Sequence, residues 1–154
     1  VDTPQNLYDY PANLFVAGFM SSPQMNFFNV TLVREDKDVV AKFGDNKIVI
    51  PPSKLSKFAD ESSIGKEIIM GIRPENIHDA DFVPLNIDAE KVAVKVDVTE
   101  LMGNEIFLYL VSGKNTFVAR VDPRSKLRVG QQAQVMFDMD NFHIFDASTE
   151  EAIR

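Results

Sequence analysis

Short segments in which apolar and polar residues alternate recur along the chain from Met25 onward, and most of them end at turn-forming residues. In the first segment, Phe28, Val30 and Leu32 alternate with their neighbours, which is the two-residue period of a half-buried β-strand. Further strand signals occur at residues 39–43, 47–50, 67–72, 92–98, 106–111, 116–121, 133–138 and 142–145. Many short strands at such spacing predict a barrel or a sandwich, so the fold class is mainly β.

Two turn-rich segments organise these strands. Gly44, Asp45 and Asn46 separate two of the apolar segments and predict a hairpin. The segment 77–88 is rich in Asp, Asn and Pro, which predicts a loop. We therefore expect any subdivision of the β-rich region to fall near residues 78–90.

The N-terminal residues have a different pattern, which predicts helices over residues 1–20. Thr3 is a candidate N-cap before Pro4, and Pro11 begins a second segment. One face of that second segment is apolar and carries Leu14, Phe15 and Phe19. We expect this helical pair to pack on a body outside the β-rich region.

Composition limits the environments and partners of the chain. The 154 residues include no cysteine, which is the usage expected of a reducing cytoplasm. No apolar run reaches the 18 or more residues of a membrane-spanning helix, and no Lys or Arg precedes Arg34 as a secretory signal would require. The formal net charge of −7 opposes binding to a phosphate backbone, so we expect a cytoplasmic protein without a nucleic-acid partner.

Motifs for catalysis, cofactors and metals are absent from the sequence. The Gly-Lys pairs at Gly65 and Gly113 lack the earlier glycine of a phosphate-binding loop. His78 and His143 lie far apart in the chain, and no ligand set of recognised spacing accompanies them. No serine lies in a nucleophile elbow. We therefore expect no enzymatic activity, no cofactor and no metal in this chain.

The sharpest local motif is Gly71-Ile72-Arg73-Pro74-Glu75. Arg73 precedes a proline and is therefore extended, while Pro74 suits the first position of a helix and Glu75 its first turn. The motif predicts a strand that ends in one helical turn. Arg73 could pair with a nearby carboxylate in a fold-defining corner, or it could contact a partner directly.

Five blocks of the chain, taken in order, resemble one family. The blocks are PANLFVAGF at 11–19, SPQMNF at 22–27, GIRPE at 71–75, ELMGNE at 100–105 and HIFD at 143–146. The first two resemble the exit of the nucleotide-binding domain in carbohydrate-importer ATPases of the maltose, multiple-sugar and glycerol-phosphate type. The other three resemble the regulatory domain of the same ATP-binding-cassette proteins. Met102 and the Met20-Ser21 pair depart from the family pattern.

The resemblance implies a pair of oligonucleotide-binding-type β-barrels over residues 23–154, preceded at 1–22 by a helical segment left from the ATPase domain. It implies a non-catalytic regulatory and dimerising domain, with ATP and Mg in the parent's missing domain. The implied partners are a second copy, the membrane-spanning permease subunits and, as in some members of the family, a regulatory protein, on the inner face of the cell membrane. The candidate contact residues are Phe27, Gly65, Gly71, Arg73, Pro74, Glu75 and His143.

Two other functions compete with this interpretation. A small-ligand sensor could hold a sugar or an oxyanion in the barrel mouth through Arg73, Arg120 or Arg124. A single-stranded nucleic-acid module would stack bases on aromatic rings, of which the chain has 12 Phe and 3 Tyr. Most of these rings fall at alternating core positions, and the net charge opposes this second function.

Overall fold

The computed structural model describes residues 24–52 and 64–151. Its ten strands are β1 Asn26–Glu35, β2 Asp38–Phe43, β3 Asn46–Val49, β4 Glu67–Ile72, β5 Ile77–Asp79, β6 Ala89–Met102, β7 Glu105–Ser112, β8 Asn115–Val121, β9 Gln132–Asp138 and β10 Phe142–Asp146. A 3₁₀ turn, Pro74–Asn76, lies between β4 and β5. The prediction of a mainly β fold is confirmed. The helices expected within residues 1–22 lie outside the described residues.

The first sheet has the strand order β10-β4-β1-β2-β3, and all of its pairs are antiparallel. The predicted hairpin joins β2 to β3, and Gly44 adopts the positive φ of 57° that its turn requires. Phe28, Val30 and Leu32 on β1 are buried, as their alternation predicted. The sheet therefore directs one apolar face into the molecule.

The second sheet has the order β5-β9-β6-β7-β8 and is also antiparallel. Its long central strand β6 pairs with β9 through its first half and with β7 through its second half, with a bulge between Val96 and Val98. The outermost strands β5 and β8 contact each other, so the sheet curls back on itself.

One continuous core lies between the two sheets. At its centre, Phe28 of β1 lies within 5.0 to 5.6 Å of three other rings, measured between centroids. These rings belong to Phe43 of β2, Phe117 of β8 and Phe137 of β9. Because two of the four phenylalanines come from each sheet, their rings join the two sheets in one core.

Two features of the connection between the sheets differ from the sequence prediction. Residues 77–88 were expected to form a loop, but Ile77–Asp79 is a strand paired with β9. Aspartate rarely lies in strands. Here the buried Asp79 carboxylate accepts a hydrogen bond of 2.6 Å from the Ser125 hydroxyl, which supplies the polar partner that a buried carboxylate needs. The last strand, β10, returns to the first sheet beside β4. A division near 78–90 therefore leaves strands of the first sheet on both sides of it.

Candidate functional site

Three of the residues selected from the sequence lie in one cross-strand row on the outer face of the first sheet. The register places Phe27 of β1 opposite Gly71 of β4, and Gly71 opposite His143 of β10. Side chains in one row project from the same face, because neighbouring strands pleat in phase. Phe142 and Ile144 face the core instead, so His143 projects away from them as predicted.

Apolar side chains surround this row on the same outer face. Phe145 is fully buried there and meets Phe27 edge to face, with ring centroids 6.0 Å apart. Met25 is also buried against Phe145, and Ile69 packs beside them. Phe27 itself remains 37% exposed. We name this group the outer-face patch: Met25, Phe27, Ile69, Gly71, His143 and Phe145.

Gly71 permits the close packing of this patch. A Cβ atom at this position would lie 2.6 Å from Met25 Sδ and 3.0 Å from Phe145 Cε2. Real Cβ atoms do not approach other atoms as closely as 2.6 Å, so any side chain here displaces its neighbours. The glycine is therefore required by space on the sheet surface, and its backbone does not have a positive φ.

The corner at residues 73–75 leads from the first sheet to the second. Arg73 is extended, with φ −78° and ψ 150°, and Pro74 begins the 3₁₀ turn, as the motif predicted. Asn76 donates its backbone N–H to the Arg73 carbonyl oxygen at 2.9 Å. Arg73 is only 3% exposed, which favours the fold-defining role over direct partner contact, whereas Glu75 is half-exposed.

Gly65 lies apart from the patch, at the other end of β4. It occupies a turn with φ +88° and donates its N–H to the Leu32 carbonyl oxygen at 2.6 Å. Among the selected residues, the structure thus brings Phe27, Gly71 and His143 together. The corner at residues 73–75 follows the end of β4, and Gly65 lies outside the outer-face patch.

Asn26 is a site residue that the sequence did not single out. Its side-chain amide donates to the Val118 carbonyl oxygen at 2.8 Å, and its Oδ1 accepts the Val118 N–H at 2.9 Å. The Asn26 amide therefore forms with Val118 the pair of hydrogen bonds that a residue of a neighbouring strand would form with edge strand β8. Beside it lies a groove of 530 Å³, lined by Met25, Phe27 and Tyr109 among others. Asn26 fixes the start of β1 and with it the position of Phe27.

Two of the three arginines proposed for an anion site, Arg120 and Arg124, have carboxylate or aromatic contacts. Arg120 lies 3.6 Å from a carboxylate oxygen of Glu105. Arg124 donates two side-chain hydrogen bonds to Asp122, which raise the pKa of Arg124, and its guanidinium lies 4.8 Å from the centroid of the Phe82 ring. An incoming anion would compete with these carboxylates, so the contacts do not favour an anion site.

The titrating groups with shifted pKa values lie on both sheets. Burial lowers the pKa of His78, against the opposing charge of Asp138. At the end of β10, a hydrogen bond from the Ser148 hydroxyl and further ones from backbone N–H groups lower the pKa of Asp146 to about 2. Within residues 24–52 and 64–151, no three acidic or histidine side chains are grouped to hold a metal ion. No helix of that same part of the chain is long and apolar enough to cross a membrane.

Two protein families match the chain in succession. The MalK OB fold domain matches residues 22–77, and the TOBE domain matches residues 70–145. The chain therefore contains a MalK OB fold domain followed by a TOBE domain. The resemblance indicated by the five sequence blocks is therefore confirmed.

Relatives of this OB–TOBE chain are similar over its whole length. It is 39% identical to the oligosaccharides import ATP-binding protein MsmX of Bacillus subtilis, over all of this chain and 41% of the relative. It is 42% identical to the multiple sugar-binding transport ATP-binding protein MsmK of Streptococcus mutans, and 39% to the trehalose/maltose import ATP-binding protein MalK of Thermococcus litoralis. Those two matches cover 40% and 41% of the relatives and nearly all of this chain. The chain thus spans about two fifths of their length.

A solved structure confirms the fold at low sequence identity. The cytoplasmic molybdate-binding protein ModG superposes with a TM-score of 0.52 and 16% identity, over 77% of this chain and 94% of ModG. At that identity the likeness concerns the fold alone.

The outer-face patch of the OB–TOBE chain draws residues from both family matches. Phe27 lies in the OB fold match, His143 lies in the TOBE match, and Gly71 lies where the two overlap. The patch is therefore complete only when β10 of the TOBE segment pairs with β4.

Proposed function

We propose that this chain is the regulatory and dimerising part of the ATP-hydrolysing subunit of a sugar-importing ATP-binding-cassette transporter. Three relatives are named as ATP-binding proteins of sugar or oligosaccharide transport, and each exceeds this chain in length. The parent would hydrolyse ATP with Mg in a separate domain, while residues 23–154 would regulate and residues 1–22 would belong to the ATPase side. This chain itself would hold no catalytic residue, cofactor or metal.

The parent protein would work beside membrane-spanning permease subunits on the inner face of the cell membrane. Two such subunits form a symmetric ATPase, whose two catalytic halves must separate and rejoin in each cycle. A second pair of surfaces that stays in contact keeps those halves at a high effective concentration. The names of the relatives support the transport role, and the outer-face patch supports the pairing role.

The observation that carries the dimerisation proposal is the exposed Phe27 ring in the outer-face patch. Phe27 is 37% exposed beside the fully buried Phe145 and the half-buried His143. Apolar rings with a polar rim are enriched where proteins associate. Glu75, four residues after Gly71 in the chain, is half-exposed in the corner that follows β4. In a two-fold dimer the same patch would occur on both copies.

Sedimentation equilibrium over a wide range of concentrations tests the pairing. We expect a weak dimer of the wild-type chain, with a Kd raised at least tenfold by Phe27→Asp and raised also by Glu75→Arg. Val49→Asp is the matched control, because Val49 is 36% exposed on β3 at the far edge of the same sheet. A monomer at millimolar concentration would refute self-association. A dimer that Phe27→Asp and Val49→Asp weaken equally would refute the placement on the patch.

The non-catalytic role has a separate test. We expect isothermal titration with ATP and Mg to give no saturable binding in the micromolar range, because the sequence contains no phosphate-binding loop. Saturable binding would contradict the assignment of ATP to another domain. The same titration with molybdate, maltose and a sugar phosphate tests the competing function of a small-ligand sensor.

A further inference from the structure

Within the part of the chain that the structure describes, the second half of β6 has an open backbone edge. On one side β6 pairs with β9 from Ala89 to Lys95, and two further bonds follow at Val96: its N–H donates to the Gln131 carbonyl oxygen at 2.9 Å and its carbonyl oxygen accepts the Gly130 N–H at 2.7 Å. Beyond that point, Asp97 lies in the bulge, and residues 98–102 pair with β7 alone among the described strands. Such an edge presents unpaired N–H and C=O groups to any extended chain.

The side chains along this edge are unusually apolar for their exposure. Val98 is 44% exposed, Leu101 71% and Met102 53%. Val98 lies opposite Tyr109 of β7, which is itself 36% exposed and extends the apolar surface. No lysine, arginine or proline occurs between Asp97 and Glu105. The edge thus lacks the lysines and prolines with which many proteins block strand addition.

The charges at the edge indicate which kind of chain fits it. Asp97 and Glu100 are both exposed, and neither forms an ion pair with another described residue. Glu105 at the turn is paired with Arg120 at 3.6 Å. A second copy would bring the same acidic edge against this one, whereas a basic chain would neutralise it. Strand addition supplies affinity through the main chain, and alternate side chains supply selectivity.

We infer that the open edge at residues 97–102 binds an extended, basic segment of a partner protein as an additional strand. The added strand would form backbone hydrogen bonds with β6. Because side chains alternate along a strand, its basic side chains would lie on the face of Glu100, and its apolar ones would lie on the face of Leu101. This edge belongs to the second sheet, and Asp97 at its start lines the same groove as Met25 and Phe27 of the outer-face patch. The inference rests on the backbone edge and its charges, and it does not use the proposed dimer.

Fluorescence anisotropy of a labelled hexapeptide of alternating arginine and valine tests the inference with the 154-residue chain. Two further peptides carry N-methyl groups, one at every valine and the other at every arginine. In an added strand, only residues of one parity direct their N–H groups at the edge. We therefore expect one methylated peptide to lose at least tenfold in affinity while the other stays within about threefold of the unmodified peptide, since its methyl groups face away.

Two lysine substitutions form a matched pair for the protein side. Leu101→Lys should weaken binding of the unmodified peptide at least tenfold, because it places a positive charge on the edge. Leu85→Lys adds the same charge at a loop residue that is 88% exposed, and it should change the affinity less than twofold. Both positions are exposed, so both variants should fold. Backbone N–H groups of residues 97–102 should exchange with solvent more slowly when the peptide is bound.

Three results would overturn the inference. Equal affinity of the two methylated peptides would mean that backbone pairing is not involved. Equal effects of Leu101→Lys and Leu85→Lys on the peptide affinity would mean that binding depends only on the net charge of the protein. A dimer of the chain alone that Leu101→Lys dissociates in sedimentation equilibrium would mean that a second copy occupies the edge.

Discussion

Removing the side-chain amide of Asn26 should measurably destabilise the fold. In the structure this amide makes two hydrogen bonds with the backbone of Val118, at 2.8 and 2.9 Å. Asn26 is 9% exposed and precedes Phe27 at the start of β1, whereas Val118 belongs to β8 in the other sheet. Asn26→Ala therefore removes a polar link between the two sheets and leaves one N–H and one C=O of β8 without their partners.

The magnitude follows from the number of groups that lose a partner and from their burial. Leaving a buried donor or acceptor unsatisfied costs about 1–3 kcal/mol per group. Val118 is half-exposed, so water can reach its backbone and the lower end of that range applies to each group. Two groups give a total loss of about 2 kcal/mol in the free energy of unfolding. For a domain of this size, that loss lowers Tm by about 4–8 °C.

Urea unfolding followed by circular dichroism measures this loss, with Asn29→Ala as the matched control. Asn29 is an exposed asparagine on the outer face of the same strand, so its replacement should change stability by less than about 0.5 kcal/mol. Asn26→Asp keeps the acceptor for the Val118 N–H but places an oxygen against the Val118 carbonyl oxygen. It should destabilise at least as much as Asn26→Ala at pH 7. Equal stability of Asn26→Ala and Asn29→Ala would refute the reasoning.

Further predictions concern packing and pH. Gly71→Ala should destabilise by about 1–3 kcal/mol because its Cβ forces Met25 and Phe145 to move, and methyl NMR shifts of Met25 should report that movement. Burial lowers the folded pKa of His78 below 6.5, so its stabilising contribution is lost as pH falls from about 7 toward that lower value. The free energy of unfolding of His78→Gln, measured by urea unfolding at several pH values, should therefore depend less on pH in this range than that of the wild-type chain. The folded pKa of Asp146 is lowered from 3.8 to about 2, so its contribution is present above 3.8 and is lost as pH falls toward 2. Asp146→Asn should remove that part of the acid dependence, and an unchanged acid dependence would contradict the hydrogen-bonded role of its carboxylate.

Residue alternation was sufficient to predict most of the strands. Phe28 and Ile144 are buried where the period of two residues placed them, because a half-buried strand must alternate to cover one face. The same parity placed His143 on the opposite face from Ile144. The motif around Pro74 predicted its helical turn, since a proline suits the first position of such a turn. These features depend on residues close together in the sequence.

Features that depend on distant residues were not predictable in the same way. The strand Ile77–Asp79 forms because β9 pairs with it and Ser125 satisfies Asp79, although its sequence has the composition of a loop. Asn26 acquires its role from Val118, which lies 92 residues away. No local pattern distinguishes an asparagine that will pair with a remote backbone from one that faces solvent, as Asn29 does.

The register of β10 on β4 decides whether the outer-face patch exists at all. A shift of one residue would turn His143 and Phe145 toward the core and expose Phe142 and Ile144, because side chains alternate along a strand. Phe142 and Ile144 are 7% and 2% exposed in the main core, so their burial opposes any such shift. The core shared by the two sheets therefore holds the candidate contact surface in place. The outer face can present an exposed Phe27 ring because the inner face fixes the strands beneath it.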